Sequence, residues 1–139
     1  TEVFEDVNDA MKGADVVVTA TNSPNPVFEG KLDAGVHLNA VGSFKPDMQE
    51  LPSDVLANAD KVAVESENAA LEETGDFIEA IKAGKFEEDA LYGELGRIVS
   101  GELTGRDNDD EVTVFKSVGL AIVDIVVAQY FYKKLAGEK

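Results

Sequence analysis

The feature that most constrains this chain is a repeated pairing: a short run rich in β-branched or aliphatic residues, followed at once by small turn-forming residues. Ala14-Asp15-Val16-Val17-Val18-Thr19-Ala20-Thr21 runs into Asn22-Ser23-Pro24-Asn25-Pro26. Val36-His37-Leu38-Asn39-Ala40-Val41 runs into Gly42-Ser43, and Lys61-Val62-Ala63-Val64 into Glu65-Ser66. A short continuous run such as the first suits a strand covered on both faces, the usual situation in a parallel sheet.

Helical patterns separate these strands. Phe4, Val7, Ala10 and Met11 recur at helical spacing, with Asp6 as N-cap and Gly13 as stop. Ser53 is placed to cap a short helix over 54–58. Further helices are expected over 67–73, 76–83, 90–100 and 119–135, with a final strand at 112–115. Strands alternating with helices require crossover connections, so the class is α/β with a parallel sheet.

Composition then removes whole classes of function. The 139 residues suit one domain with a real core. A net charge of −16 argues against nucleic acid, which is held mainly by Lys and Arg, and equally against anionic membranes. With no Cys and one His there is no disulfide framework and little to build a metal site from. The apolar stretch 118–132 contains Asp124 and Gln129 and is shorter than the roughly 20 residues that cross a bilayer, so it reads as a buried helix. Thr1-Glu2-Val3-Phe4 lacks the features of a secretory signal, and the expected compartment is the cytoplasm.

In an open parallel sheet, ligands bind outside the carboxyl ends of the strands. Three such ends are legible: Thr21-Asn22-Ser23, Gly42-Ser43 and Glu65-Ser66. The first two offer hydroxyls and backbone amides suited to a nucleotide, although every strand must end in some turn. No G-x-G-x-x-G or phosphate-loop motif occurs, and Gly93-Glu94-Leu95-Gly96 has the wrong spacing within an expected helix. The chain opens with a helix feeding a strand, as though a preceding βαβ unit belonged before it. His37 reads as a structural histidine. The stretch 107–111 is acidic but lacks the glycine and distal Glu of a calcium loop, so it reads as a solvated loop or hinge. Lys116, between a strand and an apolar helix, is either a salt-bridge partner or a group facing a ligand.

Three ordered blocks carry a family resemblance. They are Gly13-Ala14-Asp15-Val16-Val17-Val18-Thr19-Ala20-Thr21-Asn22-Ser23; His37-Leu38-Asn39-Ala40-Val41-Gly42-Ser43 with Pro46-Asp47 and Glu50-Leu51; and Asp110-Glu111-Val112-Thr113-Val114-Phe115-Lys116-Ser117-Val118-Gly119-Leu120-Ala121 with Asp124. Together they resemble the C-terminal portion of the ornithine cyclodeaminase/mu-crystallin family, whose members bind NAD or NADP, are typically homodimers and are considerably longer. The resemblance implies the second half of a Rossmann-type parallel sheet with flanking helices and a long C-terminal helix. Residues 1–111 would form a partial NAD(P)-binding domain without its glycine-rich first half. Residues 112–139 would be a strand plus a helix returning toward an absent substrate and dimerisation domain.

Carried over by position, Ala20, Thr21 and Asn22 would lie near the cofactor ribose. Val41, Gly42 and Ser43 would line the nicotinamide side, and Ser117, Val118 and Gly119 would close from the other side. No metal is implied, and no catalytic residue can be named. Where true cyclodeaminases carry a proposed acid/base Asp, this chain has Phe44, and their Phe-Asp-Ser block reads Phe115-Lys116-Ser117. A phenyl ring cannot transfer a proton. The resemblance therefore implies NAD(P)-dependent hydride transfer at a C–N bond of an amino acid or cyclic imine, with this chain alone inactive. True ornithine cyclodeaminase chemistry, or a non-catalytic ligand-binding protein of the mu-crystallin kind, are the alternatives.

Overall fold

The computed structural model describes residues 1–137. Five strands form one sheet: β1 (Val16–Thr19), β2 (His37–Ala40), β3 (Lys61–Val64), β4 (Gly93–Glu94) and β5 (Thr113–Lys116). Every pairing is parallel, in the spatial order β1-β2-β5-β3-β4. The last strand is therefore the central one, and the sheet runs without a break across the expected boundary at 111/112.

The helices are α1 (Val7–Met11), α2 (Ser53–Asn58), α3 (Glu67–Glu73), α4 (Gly75–Lys82), α5 (Leu95–Val99) and α6 (Ala121–Ala136). Asp6 caps α1 by accepting from Asn8 N at 2.7 Å. Ser53 is the first residue of α2 and not its cap; Pro52 occupies that position without a side-chain bond. The helix expected over 90–100 divides into the single 3-10 turn Glu88–Ala90, strand β4 and helix α5. Gly93, at φ +140, adopts a backbone conformation that no helix uses.

One face of the sheet carries the core. Leu38, Ala40, Val62, Val64 and Val114 point from β2, β3 and β5 toward Val55 and Leu56 of α2, Ala70 of α3, and Phe77 and Ala80 of α4. Phe77 meets Phe86 at a 5.3 Å ring separation and a tilted angle, which suits the aromatic quadrupole. The opposite face is covered less completely: His37, Asn39, Thr113 and Phe115 are half-buried, and its β1 end is open. Val16 and Val18 are 58% and 60% exposed, contrary to the expectation of a strand covered on both sides. The continuous Val run fits burial that residues 1–137 do not themselves provide.

Helix α6 shows the same discrepancy in stronger form. Its composition reads as a buried helix and the resemblance implies a partner in an absent domain; here none of its residues is buried, and Phe131 and Leu135 stand in the open. Leu and Val side chains stabilise a fold only where neighbours remove them from water, and α6 has none of the core around it. Two substitutions separate these environments. Phe77→Ala should cost about 3–5 kcal/mol in urea unfolding of this chain, whereas Phe131→Ser should change its stability by less than about 0.5 kcal/mol.

Candidate functional site

Parallel strands put all their carboxyl ends on one edge, and the strand order sets which turns become neighbours. The segments 20–22, 41–43, 117–119 and 65–66 follow β1, β2, β5 and β3, so they stand side by side along that edge. All nine residues singled out from the sequence are thus brought together. The ladder extends one residue beyond two strands, with Val41 N donating to Thr19 O at 2.9 Å and Ser117 N to Ala40 O at 3.1 Å. Ala20, Thr21, Asn22, Val41 and Gly119 are exposed, while Gly42, Ser117 and Val118 are half-buried. Ser43 is fully buried. Its hydroxyl lies 2.7 Å from Met48 O and 2.5 Å from Thr74 Oγ1, so it shapes the turn from beneath.

The first two turns are tied together by Glu50, which is completely buried. One carboxylate oxygen accepts from Thr21 N at 2.5 Å. The other accepts from Thr19 Oγ1 at 3.1 Å, Gly42 N at 2.8 Å and Ser43 N at 3.1 Å. Loss of water pushes the Glu50 carboxyl up, but the backbone donors from Thr21, Gly42 and Ser43 outweigh that and hold it below its ordinary value near 4.5. Gly42 is required by the closeness of the turns. A Cβ there would run into the Thr21 backbone and the Glu50 carboxylate, neither of which can move without breaking the clamp.

Glu50 is itself held from below. Asp76, at the start of α4 and fully buried, accepts from Glu50 N at 2.7 Å and Leu51 N at 2.9 Å. Its other oxygen lies 3.3 Å from Thr74 Oγ1 and 3.0 Å from Lys116 Nζ, both partners being wholly buried. This resolves the two readings of Lys116: its side chain leaves β5 on the core face and pairs with Asp76. The ammonium meets no acceptor at hydrogen-bonding angles, so the contact is electrostatic.

The third turn has a carboxylate of its own. Glu65, just past β3, accepts from Ser117 Oγ at 2.9 Å, Val118 N at 3.1 Å and Gly119 N at 2.5 Å. In the sequence, Glu65 marks only a strand end, Glu50 only a motif position and Asp76 only a helix start. Sequence spacing gives no sign that residues 8 or 29 positions apart will meet through one side chain.

Other candidates lie away from this edge. His37 sits at the amino end of β2 with Nδ1 2.8 Å from Thr113 Oγ1, a satisfied structural position. It lines a cavity of about 440 Å³ on the open face with Asn39, Tyr92 and Phe115. The stretch 107–111 is tied to its surroundings by ion pairs and a backbone bond. Lys61 Nζ reaches Asp107 at 2.6 Å and Glu111 at 3.3 Å, and Gly35 N donates to Asp110 O at 2.9 Å. No group of three His, Cys, Asp or Glu able to hold a metal occurs among the described residues. Nor, among them, is any helix long and apolar enough to cross a membrane.

In an open parallel α/β sheet, ligands bind outside the carboxyl edge, where these glycine- and hydroxyl-bearing turns lie. The family model for the ornithine cyclodeaminase/mu-crystallin family matches residues 1–139, and the chain belongs to that family. It is 58% identical over 132 residues to a Delta(1)-pyrroline-2-carboxylate reductase of Bacillus cereus, covering 95% of this chain and 41% of that protein. It is 35% identical over 138 residues to the ketimine reductase mu-crystallin of Macropus fuliginosus, covering 99% of this chain and 41% of that protein. The fold superposes with a TM-score of 0.88 and 36% identity on Thermococcus litoralis Delta(1)-pyrroline-2-carboxylate reductase in complex with NADH and L-proline, over 96% of this chain and 42% of that one. The chain therefore spans about two-fifths of the length of these relatives.

The network makes two predictions for stability. Asp76→Asn leaves a buried ammonium without its counter-charge and should cost about 3–5 kcal/mol. Lys116→Met leaves Asp76 still bonded to Glu50 N, Leu51 N and Thr74 and should cost clearly less, as urea midpoints of the two variants will show. Separately, the unfolded chain takes up a proton on Glu50 more readily than the folded one. The stabilisation from Glu50 is complete above about 4.5 and is lost as pH falls through its lower folded value. Urea titrations between neutral and acid pH should show that loss, and Glu50→Gln should flatten it.

Proposed function

We propose that this chain is the C-terminal, cofactor-facing portion of a cytoplasmic, homodimeric imine reductase that uses NADH or NADPH. Its substrate would be a cyclic imino acid of the pyrroline-2-carboxylate type. The observation that carries this reading is the single row of turns at 20–22, 41–43 and 117–119, in a chain 58% identical to a reductase of that substrate. Small residues at these turns suit the close approach of a flat ring and its ribose, while the missing Cβ of Gly42 lets its turn close on Thr21 and Glu50. Ala20, Thr21 and Asn22 would face the ribose. Val41, Gly42 and Ser43 would support one side of the nicotinamide, and Ser117, Val118 and Gly119 the other.

When bound, the nicotinamide supplies the hydride for the imine carbon. The chain's share is to orient the cofactor and keep its turns rigid. The imine nitrogen also needs a proton, and Glu50, Glu65 and Lys116 are all committed to other partners. Phe44, exposed and stacked near Lys45 Nζ at 5.4 Å, has no proton to give. The donor would then belong to the part of the enzyme that grips the substrate, and Phe44 in place of the cyclodeaminases' Asp favours imine reduction over ammonia-eliminating chemistry. Val16, Val18, the unpaired edge of β1 and the bare surface of α6 are where that part, with the first half of the sheet, would pack.

The test is a turnover assay of the full-length protein with Δ1-pyrroline-2-carboxylate and NADPH or NADH, beside ornithine with NAD. Imine-dependent oxidation of the reduced cofactor is expected. Ornithine deamination without imine reduction would overturn the reading, and ligand binding with no turnover would favour a binding protein. The 139-residue chain alone, without a glycine-rich pyrophosphate turn, should show no micromolar affinity for NAD(P) by calorimetry.

A further inference from the structure

We infer that Glu50 is a positioning residue for the cofactor, acting through the two turns that it joins; the inference rests on the functional reading above. Glu50 touches nothing outside the protein: it is wholly buried beneath the edge. Yet its carboxylate takes up the N–H groups of Thr21, Gly42 and Ser43 and the hydroxyl of Thr19. These donors belong to two different strand ends, so one side chain sets the separation between the turn assigned to the ribose and the turn assigned to the nicotinamide.

Other bonds oppose any sideways movement of Glu50. Its own N–H and that of Leu51 end on one oxygen of Asp76, whose other oxygen faces Lys116. Lys116 immediately precedes Ser117, the first residue of the third turn, and Glu65 closes that turn from β3. Around Glu50 the groups to consider are therefore Asp76, Lys116, Thr19, Ser43 and Thr74, of which only Asp76 and Lys116 are charged, and they pair with each other. The carboxylate remains an anion satisfied by four donors. A neutral amide of the same size would turn a donor toward donors at one of its two ends, and the turns would separate.

The test uses the full-length protein and follows NADPH binding by fluorescence apart from imine turnover. Glu50→Gln should raise the cofactor Kd and KM by about tenfold or more, the consequence of leaving buried donors unmatched. The imine KM should change far less. A purely structural role would lower the melting temperature and the active fraction, hence the apparent kcat, while leaving the cofactor KM unmoved. That outcome would overturn the proposal.

Thr19→Val guards against a Glu50 variant that does not fold. It removes one of the four donors at nearly constant volume and should weaken NADPH binding about threefold; unchanged binding in a folded Thr19→Val protein also overturns the proposal. Asp54→Asn, which removes a surface ion pair with Lys85, serves as the control and should bind as wild type. A wild-type protein that binds NADPH but reduces no imine would refute the functional reading alone and leave the Glu50 result standing. One that binds no nicotinamide cofactor refutes both.

Discussion

The candidate site depends on a carboxylate that no solvent reaches. Parallel strands deliver their carboxyl ends to a common edge, but the ladder bonds stop at those ends. Beyond Thr19 and Val41 the backbone N–H groups need other partners, and burial makes an unmatched donor costly. Glu50 supplies those partners for two turns at once. An anion with several acceptor sites is well suited to the task, because one group can draw donors from different directions. The closeness it imposes is what excludes a side chain at position 42.

The same logic explains why three charges sit inside so small a protein. Burying Glu50, Asp76 and Lys116 forfeits hydration that hydrophobic residues would not need, so the arrangement is poorly explained as a device for stability. It is better explained as one for geometry. Apolar packing tolerates small shifts, whereas a carboxylate shared among backbone amides has few satisfactory positions. The rigidity falls at the row of turns and not in the body of the core, where Leu38, Val64 and Phe77 do ordinary hydrophobic work.

Much of this was legible before the structure. Alternating strand and helix patterns specify the parallel α/β class, and the turn residues after each strand mark the edge where a ligand would lie. The short strand Gly93–Glu94 escaped because two residues carry no periodicity. The clamp escaped for a different reason: Glu50 meets Asp76 across 26 residues and Thr21 across 29, and Asp76 meets Lys116 across 40. A lone Glu in a polar stretch looks like surface. The exposed helix α6 is the converse case, since its composition was read correctly as apolar but its covering surface is not among residues 1–137.

That converse case bears on how the chain should be understood. Val16 and Val18 on the open face, the unpaired edge of β1 and the bare sides of α6 are features that soluble domains ordinarily cover, because exposed apolar surface and free strand edges invite association. The buried clamp, by contrast, is complete: the side chains of Glu50, Asp76 and Glu65 all have their partners within the described residues. The chain thus joins a finished carboxyl edge to unfinished outer surfaces. A segment spanning about two-fifths of its relatives' length would show this division if the cofactor turns form within the second half of the sheet and the remaining protein covers its outside. On this reading the clamp can hold its geometry before the larger assembly closes around it.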